Sequence, residues 1–285
     1  MMTPITYVSL GAGVQSSALL VMSALGLKDC PRADFALFAD TQDEPRWVYE
    51  QLAALRAWAE PRGMPVVTVT AGRLSDETYG HANGMKKRRA ALPVFTLGKD
   101  GREAMLPRQC TDEYKLQPIR RYLRQRLSVP VASIVSMAAS YRRRRIRAGS
   151  VEALIGISFE ERTRIKESRQ KWIVNRWPLI DAAMTRSACI ALLEAHGLPV
   201  PRKSACIYCP FHDDAYWMTL LAVEPEAFKE ACRFDEAIRS VSRSGLRHPV
   251  YLHRSLQPLR DVQFIEAAPS FDYGFNNECS GTCGV

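Results

Sequence analysis

Acidic residues are in short supply in this chain. Thirty Asp and Glu stand against 39 Lys and Arg, which leaves a formal net charge of +9. That imbalance argues against a cationic partner and favours anionic ones, such as nucleotides or nucleic acid. Long apolar runs are also missing. No stretch approaches the roughly 20 residues that a bilayer-spanning helix needs. The first residues carry no basic segment leading into a long apolar one, so no secretory signal is expected, and the cytoplasm is the expected compartment. No internal repeat and no low-complexity linker occur. What remains is a chain of 285 residues, 47% hydrophobic, enough for one large or two small domains around a sizeable core.

The basic excess is clustered at Lys86–Arg89, at Arg120, Arg121, Arg124 and Arg126, and at Arg142–Arg145 with Arg147. A charge run is commonly a solvated face. Three such clusters in one chain favour an anionic substrate, without separating a free nucleotide from a nucleic acid.

Residues 9–17, Ser-Leu-Gly-Ala-Gly-Val-Gln-Ser-Ser, lie between the apolar runs Ile5–Val8 and Ala18–Leu25. The pattern predicts strand, tight turn and helix. Gly11 and Gly13 allow a sharp turn and close approach of a ligand. Ser16 and Ser17 stand at the start of the helix, where free N–H groups make an anion site. The loop lacks the Gly-Lys-Ser/Thr of a Walker sequence and the third glycine of the dinucleotide fingerprint. An ordinary serine-capped glycine turn is the plain alternative.

Further strands are predicted at Phe35–Phe38, Val66–Val69, Val131–Met137 and Val151–Ile157. Helices are predicted over Pro45–Arg62 and Lys115–Leu127, with an irregular basic segment at 71–109. The alternation predicts an α/β fold with a doubly wound, mostly parallel sheet. Its ligand edge collects the 9–17 loop, Asp40-Thr41 and the segment after Ile157. From Thr185 the pattern changes to short helices at Ser187–His196, Asp213–Leu221 and Pro225–Ser240. A boundary is therefore expected between an α/β unit at 1–184 and a helical, cysteine-bearing region at 185–285.

Eight cysteines are many for a reducing compartment, where structural disulfides are disfavoured. Cys30, Cys189 and Cys232 read as buried thiols. Cys110, Cys206, Cys209, Cys279 and Cys283 sit in loop-like contexts. Cys206-Ile-Tyr-Cys209 can grip one metal or cluster if other thiols join it, and zinc and iron–sulfur both suit such donors. A redox pair or unligated thiols are the alternatives.

These segments together resemble the PP-loop, or N-type, ATP pyrophosphatase superfamily, and within it the phosphoadenosine phosphosulfate (PAPS) reductase-like family. Ser9–Ser17 resembles the PP-loop, and Phe38–Pro45 the family's Asp-Thr-Gly-x-x-x-Pro segment. Gly156–Arg164 is similar to Gly-Ile-Arg-x-x-Glu-Ser-x-x-Arg, and Trp177–Ile180 to the Pro-Leu segment. Cys110 with Lys115 and Pro118 is similar to the Cys-Cys-x-x-x-Lys-x-x-Pro segment, and Ser204–Cys209 to the Cys-x-x-Cys that ligates a [4Fe–4S] cluster. The matches run in family order along nearly the whole chain. The resemblance extends to DNA-phosphorothioation sulfurtransferases and phage-borne relatives.

The resemblance implies a Rossmann-like, adenine nucleotide alpha hydrolase-like fold. It implies nucleotide binding by Ser9, Gly11, Gly13, Gln15, Ser16, Ser17, Asp40, Thr41, Glu160 and Arg164. It implies a cluster on Cys110, Cys206, Cys209 and Cys279, or one with three protein thiolates and an open iron, and Cys279 or Cys283 as a reactive thiol of the tail. Asp40, at a strand end, is a candidate Mg²⁺ holder, with a helix-capping Asp as the alternative. Two departures stand out. Gln109-Cys110 replaces the family's cysteine pair, and Gly-Ile-Ser replaces Gly-Ile-Arg, so that Arg162 or Arg164 is left to supply that charge. Three activities follow as expectations. One is an ATP-dependent sulfurtransferase with Mg²⁺ and a [4Fe–4S] cluster, taking sulfur from a donor protein to an acceptor such as nucleic acid. The second is a PAPS or APS reductase using a reductant protein. The third is a nucleic-acid-binding module in which Cys206, Cys209, His212 and one more cysteine hold Zn²⁺.

Overall fold

The computed structural model describes residues 3–82, 92–128, 146–239 and 248–265. The clusters at Lys86–Arg89 and Arg142–Arg145, the strand expected at Val131–Met137, and the tail thiols Cys279 and Cys283 lie outside the described residues.

The fold is α/β, with a five-stranded sheet that is parallel throughout. Its strands are β1 (Ile5–Leu10), β2 (Phe35–Asp40), β3 (Val66–Thr70), β6 (Val151–Ile155) and β7 (Ile173–Arg176), in the order β3-β2-β1-β6-β7. Side chains alternate between two apolar layers, as the two-residue strand period requires. Val8, Leu10, Ala36, Phe38 and Leu154 face one layer, whereas Tyr7, Phe35, Leu37, Ala153 and Ile155 face the other. Helices α1 (Val14–Leu25) and α2 (Arg46–Ala59) cover the first face through Leu19, Leu20, Val48 and Leu55. Helix α4 (Gln117–Ser128) covers the second through Ile119 and Leu123.

The chain runs outward from β1 to β2 and β3, then returns to the opposite side of β1 at β6. The crevice between β1 and β6 is therefore the topological switch point of the sheet, where such folds bind ligands. The loop after β1 stands at that point.

The segment expected to be irregular at 71–109 contains helix α3 (Leu74–Ala82) and an antiparallel hairpin of β4 (Phe95–Leu97) and β5 (Glu103–Met105). Three-residue strands carry too little alternation to show in sequence. The hairpin is anchored by paired bonds between Phe95 and Tyr251, 2.9 Å each way. Strand β7 and the short helix α5 (Pro178–Asp181) were likewise not anticipated. The helix expected from Lys115 is preceded by a π-helical turn, Asp112–Leu116.

Helices α6 (Arg186–Ala195), α7 (Asp214–Val223) and α8 (Pro225–Arg239) follow. The boundary expected after residue 184 is crossed by a shared core. Cys189 and Leu193 of α6 and Trp217, Leu220 and Phe234 of α7 and α8 belong to the same apolar cluster as α1. Cys30, Cys189 and Cys232 are buried, as expected of plain core thiols, and burial pushes the first two up to about 12.

The segment 248–265 is tied to α8 by one carboxylate. Asp235 is fully buried and accepts from Leu252 N–H at 2.8 Å and Leu259 N–H at 3.0 Å, while pairing with Arg239. Asp235→Ala leaves two buried N–H groups and one cation without their acceptor. A loss of about 2–4 kcal/mol is expected in urea unfolding, since orphaned buried donors cost about 1–3 kcal/mol each.

Candidate functional site

The loop between β1 and α1 turns through Ala12, which has φ 55°. The left-handed residue is therefore the alanine and not either glycine. Gly13 instead sits extended as the residue that precedes α1, with no side chain capping the helix. Among the described residues the first-turn N–H groups of α1 thus have no side-chain acceptor, and the positive end of the helix dipole opens at the switch point. Ser16 braces the loop: its Oγ accepts from Gly11 N–H at 3.2 Å and donates to Gly13 C=O at 3.2 Å. The glycines serve close approach. A Cβ on Gly13 would lie 3.1 Å from Ser204 Oγ, and one on Gly156 would lie 2.8 Å from Ser16 N. The second is a backbone contact that cannot yield cheaply.

An open cleft lies over this loop. Ser9, Gly11, Gly13, Gln15 and Ser16 form its floor, and Arg164, Arg186, Arg202 and Lys203 supply four cations around it. Glu161 organises two of them. Its buried carboxylate accepts from Gln15 Nε2 at 3.0 Å and from Ser158 N–H and Oγ at 3.3 and 3.2 Å, and pairs with Arg164. Gln15 then receives Arg186 Nη1 at 3.3 Å. Ser158 and Glu161 form a capping box on the 3₁₀ turn Phe159–Arg164.

The sequence-predicted residues separate here. Ser9, Gly11, Gly13, Gln15, Ser16 and Arg164 line the cleft. Ser17 does not: it is fully buried, and its Oγ has no partner among the described residues. Asp40 closes its own turn, accepting from Gln42 N–H at 2.7 Å and Tyr49 OH at 3.0 Å. Thr41 is buried and donates to Glu44 at 3.1 Å. Glu160 accepts from Arg186 N–H at 3.0 Å at the start of α6, away from the cleft lining. Arg162 lies over the Phe159 ring, whereas Arg164 lines the cleft. Sequence reasoning missed Gly156, Glu161, Arg186, Arg202, Lys203 and Ser204 as cleft residues. The basic pair beside Ser204 was the available signal for three of them.

Ser204 leads directly into the thiols. Cys206 and Cys209 are buried and hydrogen-bonded to each other. That bond, then burial, then the nearby negative charge of Glu44 hold the Cys206 thiol well above its ordinary range, with Cys110 adding to the effect. The turn is docked on the loop after β2, since Ile207 N–H donates to Asp43 C=O at 2.8 Å. Asp43 is fixed in turn by Arg73 at 2.8 Å and Ser75 N–H at 2.7 Å. Glu44 is paired with Lys115 at 3.5 Å, on the π-helical turn that follows Cys110. His212 stacks on Tyr216 at 3.4 Å and donates Nε2–H to Cys206 C=O at 2.8 Å. Burial lowers its basicity, so the ring is neutral, and Nδ1 has no partner among the described residues.

Among the described residues, no three His, Cys, Asp or Glu side chains group closely enough to hold one ion. Two thiols in contact with a third in electrostatic range match a thiolate-bound group in donor type. They do not complete one in number.

No protein-family model matches the chain, and no curated protein matches it closely enough to stand as a relative. No helix among the described residues is long and apolar enough to cross a membrane.

Gly156→Ala is expected to displace the first turn of α1, costing about 1–3 kcal/mol and abolishing pyrophosphate binding in calorimetry. Ser17→Ala is expected to leave that affinity within about twofold, because its hydroxyl makes no charge-assisted bond of the ~1.5–3 kcal/mol kind.

Proposed function

We propose that the chain is a PP-loop enzyme of the PAPS reductase-like kind that works in the cytoplasm as an ATP-dependent sulfurtransferase. The observation that carries the reading is the cleft itself. It combines an uncapped helix N-terminus, four cations and a direct chain connection to buried thiols.

Here the phosphates of ATP lie on the first-turn amides of α1, between Arg164, Arg186, Arg202 and Lys203. An acceptor oxygen attacks the α-phosphorus, and pyrophosphate leaves toward these donors. Charge developing on the leaving group is met by groups already in place, which is where electrostatic catalysis acts. Glu161 and Asp40 are both engaged by protein partners, and Mg²⁺ brought with the nucleotide would add to the charge neutralisation that these cations supply. A [4Fe–4S] cluster on Cys110, Cys206, Cys209 and Cys279 would supply sulfur or electrons beside the adenylated acceptor. The acceptor class this reading names is nucleic acid, consistent with the net charge of +9.

A second reading, reduction of PAPS or APS, draws on the same engaged carboxylates: a cleft that neutralises phosphate with its own cations suits a nucleotide bound without metal. Both readings use the cleft, and their products separate them.

Protein purified without oxygen is expected to convert ATP to AMP and pyrophosphate when acceptor is present. Arg186→Ala and Lys203→Ala are each expected to lower kcat/KM at least about tenfold, as loss of ~1.4 kcal/mol would. Sulfite formation from PAPS with a thiol reductant, and no AMP from ATP, would replace the first reading with the second. A colourless protein containing zinc, with no nucleotide turnover, would overturn both.

A further inference from the structure

A second cleft, remote in sequence from the loop between β1 and α1, opens to solvent beside the start of α7. Asp214, His253 and Ser255 share its wall. Ser255 Oγ lies 2.8 Å from His253 Nδ1, and His253 Nε2 lies 3.0 Å from Asp214 Oδ1. The hydrogen bonds fix the tautomer. Ser255 N–H also points at Nδ1, at 3.2 Å, so Nδ1 is an acceptor and the ring proton sits on Nε2, donated to Asp214. Asp214 is itself oriented by Ile265 N–H at 2.8 Å on its other oxygen. The base therefore faces the hydroxyl, and the carboxylate faces the ring's N–H.

The surroundings fit a reacting group. His253 is buried, with Phe264 edge-on to its ring, whereas Ser255 is exposed on the cleft. Leu256, the next residue, holds φ 55°, a backbone state that costs a branched side chain energy. Ile265 on the same cleft is 73% exposed, an apolar surface for an acyl chain. Arg254, Gln257 and Gln263 bring N–H donors to the rim.

We propose that Ser255, His253 and Asp214 form a nucleophilic serine site for acyl esters, independent of the nucleotide cleft. Ser255 Oγ attacks the acyl carbon while its proton passes to His253 Nδ1. The ester C–O bond then breaks, and the alcohol leaves with that proton. Water repeats the sequence on the acyl-serine and releases the carboxylic acid. Asp214 stabilises the imidazolium formed in each half. The ring is reversed relative to the serine proteases, with Nδ1 toward serine. Either imidazole nitrogen can serve as the base when the other carries the proton.

The test is reaction of the full chain with a fluorophosphonate probe, which bonds phosphorus to the serine oxygen and expels fluoride. Intact mass and peptide mapping read the product, alongside hydrolysis of p-nitrophenyl butyrate. One adduct at Ser255 is expected, absent in Ser255→Ala, with ester hydrolysis lost in parallel. Asp214→Asn is expected to slow labelling about 100-fold, within the range for general-base catalysis. Ser255 is exposed, so its variant is expected to keep the wild-type melting temperature and pyrophosphate binding. No adduct at Ser255, or labelling of Asp214→Asn at the wild-type rate, would overturn the proposal.

Discussion

The buried carboxylate of Glu161 is the interaction on which the rest of the cleft depends. Taking a carboxylate out of water costs several kcal/mol unless its lone pairs are answered. Here they are answered by Gln15, by the backbone and hydroxyl of Ser158, and by Arg164. Each answer places something. Gln15 ties the start of α1 to the loop after β6 and passes a hydrogen bond on to Arg186. Ser158 starts the 3₁₀ turn that carries Arg164. With Gly156 allowing the backbone of β6 to close on Ser16, the two sides of the switch point are held at contact distance. An anion site made by a helix terminus needs its cations fixed in advance, and this network fixes two of the four.

The same principle carries the site across to the thiols. Asp43 and Glu44 stand just past the end of β2. Asp43 holds Arg73 and Ser75 with its side chain and Ile207 with its carbonyl, and Glu44 holds Thr41 and Lys115. Asp43 thereby seats the Cys206–Cys209 turn on the loop after β2. Lys203 and Ser204 then reach the loop between β1 and α1 from the same segment. The cleft and the thiol pair are two ends of one stretch of chain, and the proposed sulfurtransferase reading rests on that adjacency.

Much of this was readable in the residues. Apolar runs flanking Gly11 and Gly13 announced the strand-turn-helix, and strand alternation announced a parallel sheet with its ligand edge. Helix rotation was not readable. At about 100° per residue, a one-residue uncertainty in the start of α1 decides which serine faces the cleft; Val14 begins the helix, so Ser16 lines the cleft and Ser17 enters the core. Glu160 and Glu161 differ for the same reason. The turn at Ala12 also went unseen, because a left-handed alanine has no compositional signal. Arg186, Arg202 and Lys203 are distant in sequence from the loop they serve, and only the packing of α6 on α1 and the docking of the cysteine turn bring them in. Short elements such as β4, β5 and β7 lack the length for a period to show.

Hydrogen exchange with and without ATP or pyrophosphate tests the central claim most directly. If the β1–α1 loop is the phosphate cradle, the amides of Val14, Gln15 and Ser16 are expected to exchange much more slowly when the anion is bound, together with the segment around Ser204. Unchanged exchange at those amides under saturating nucleotide, or protection confined to another part of the chain, would contradict the account.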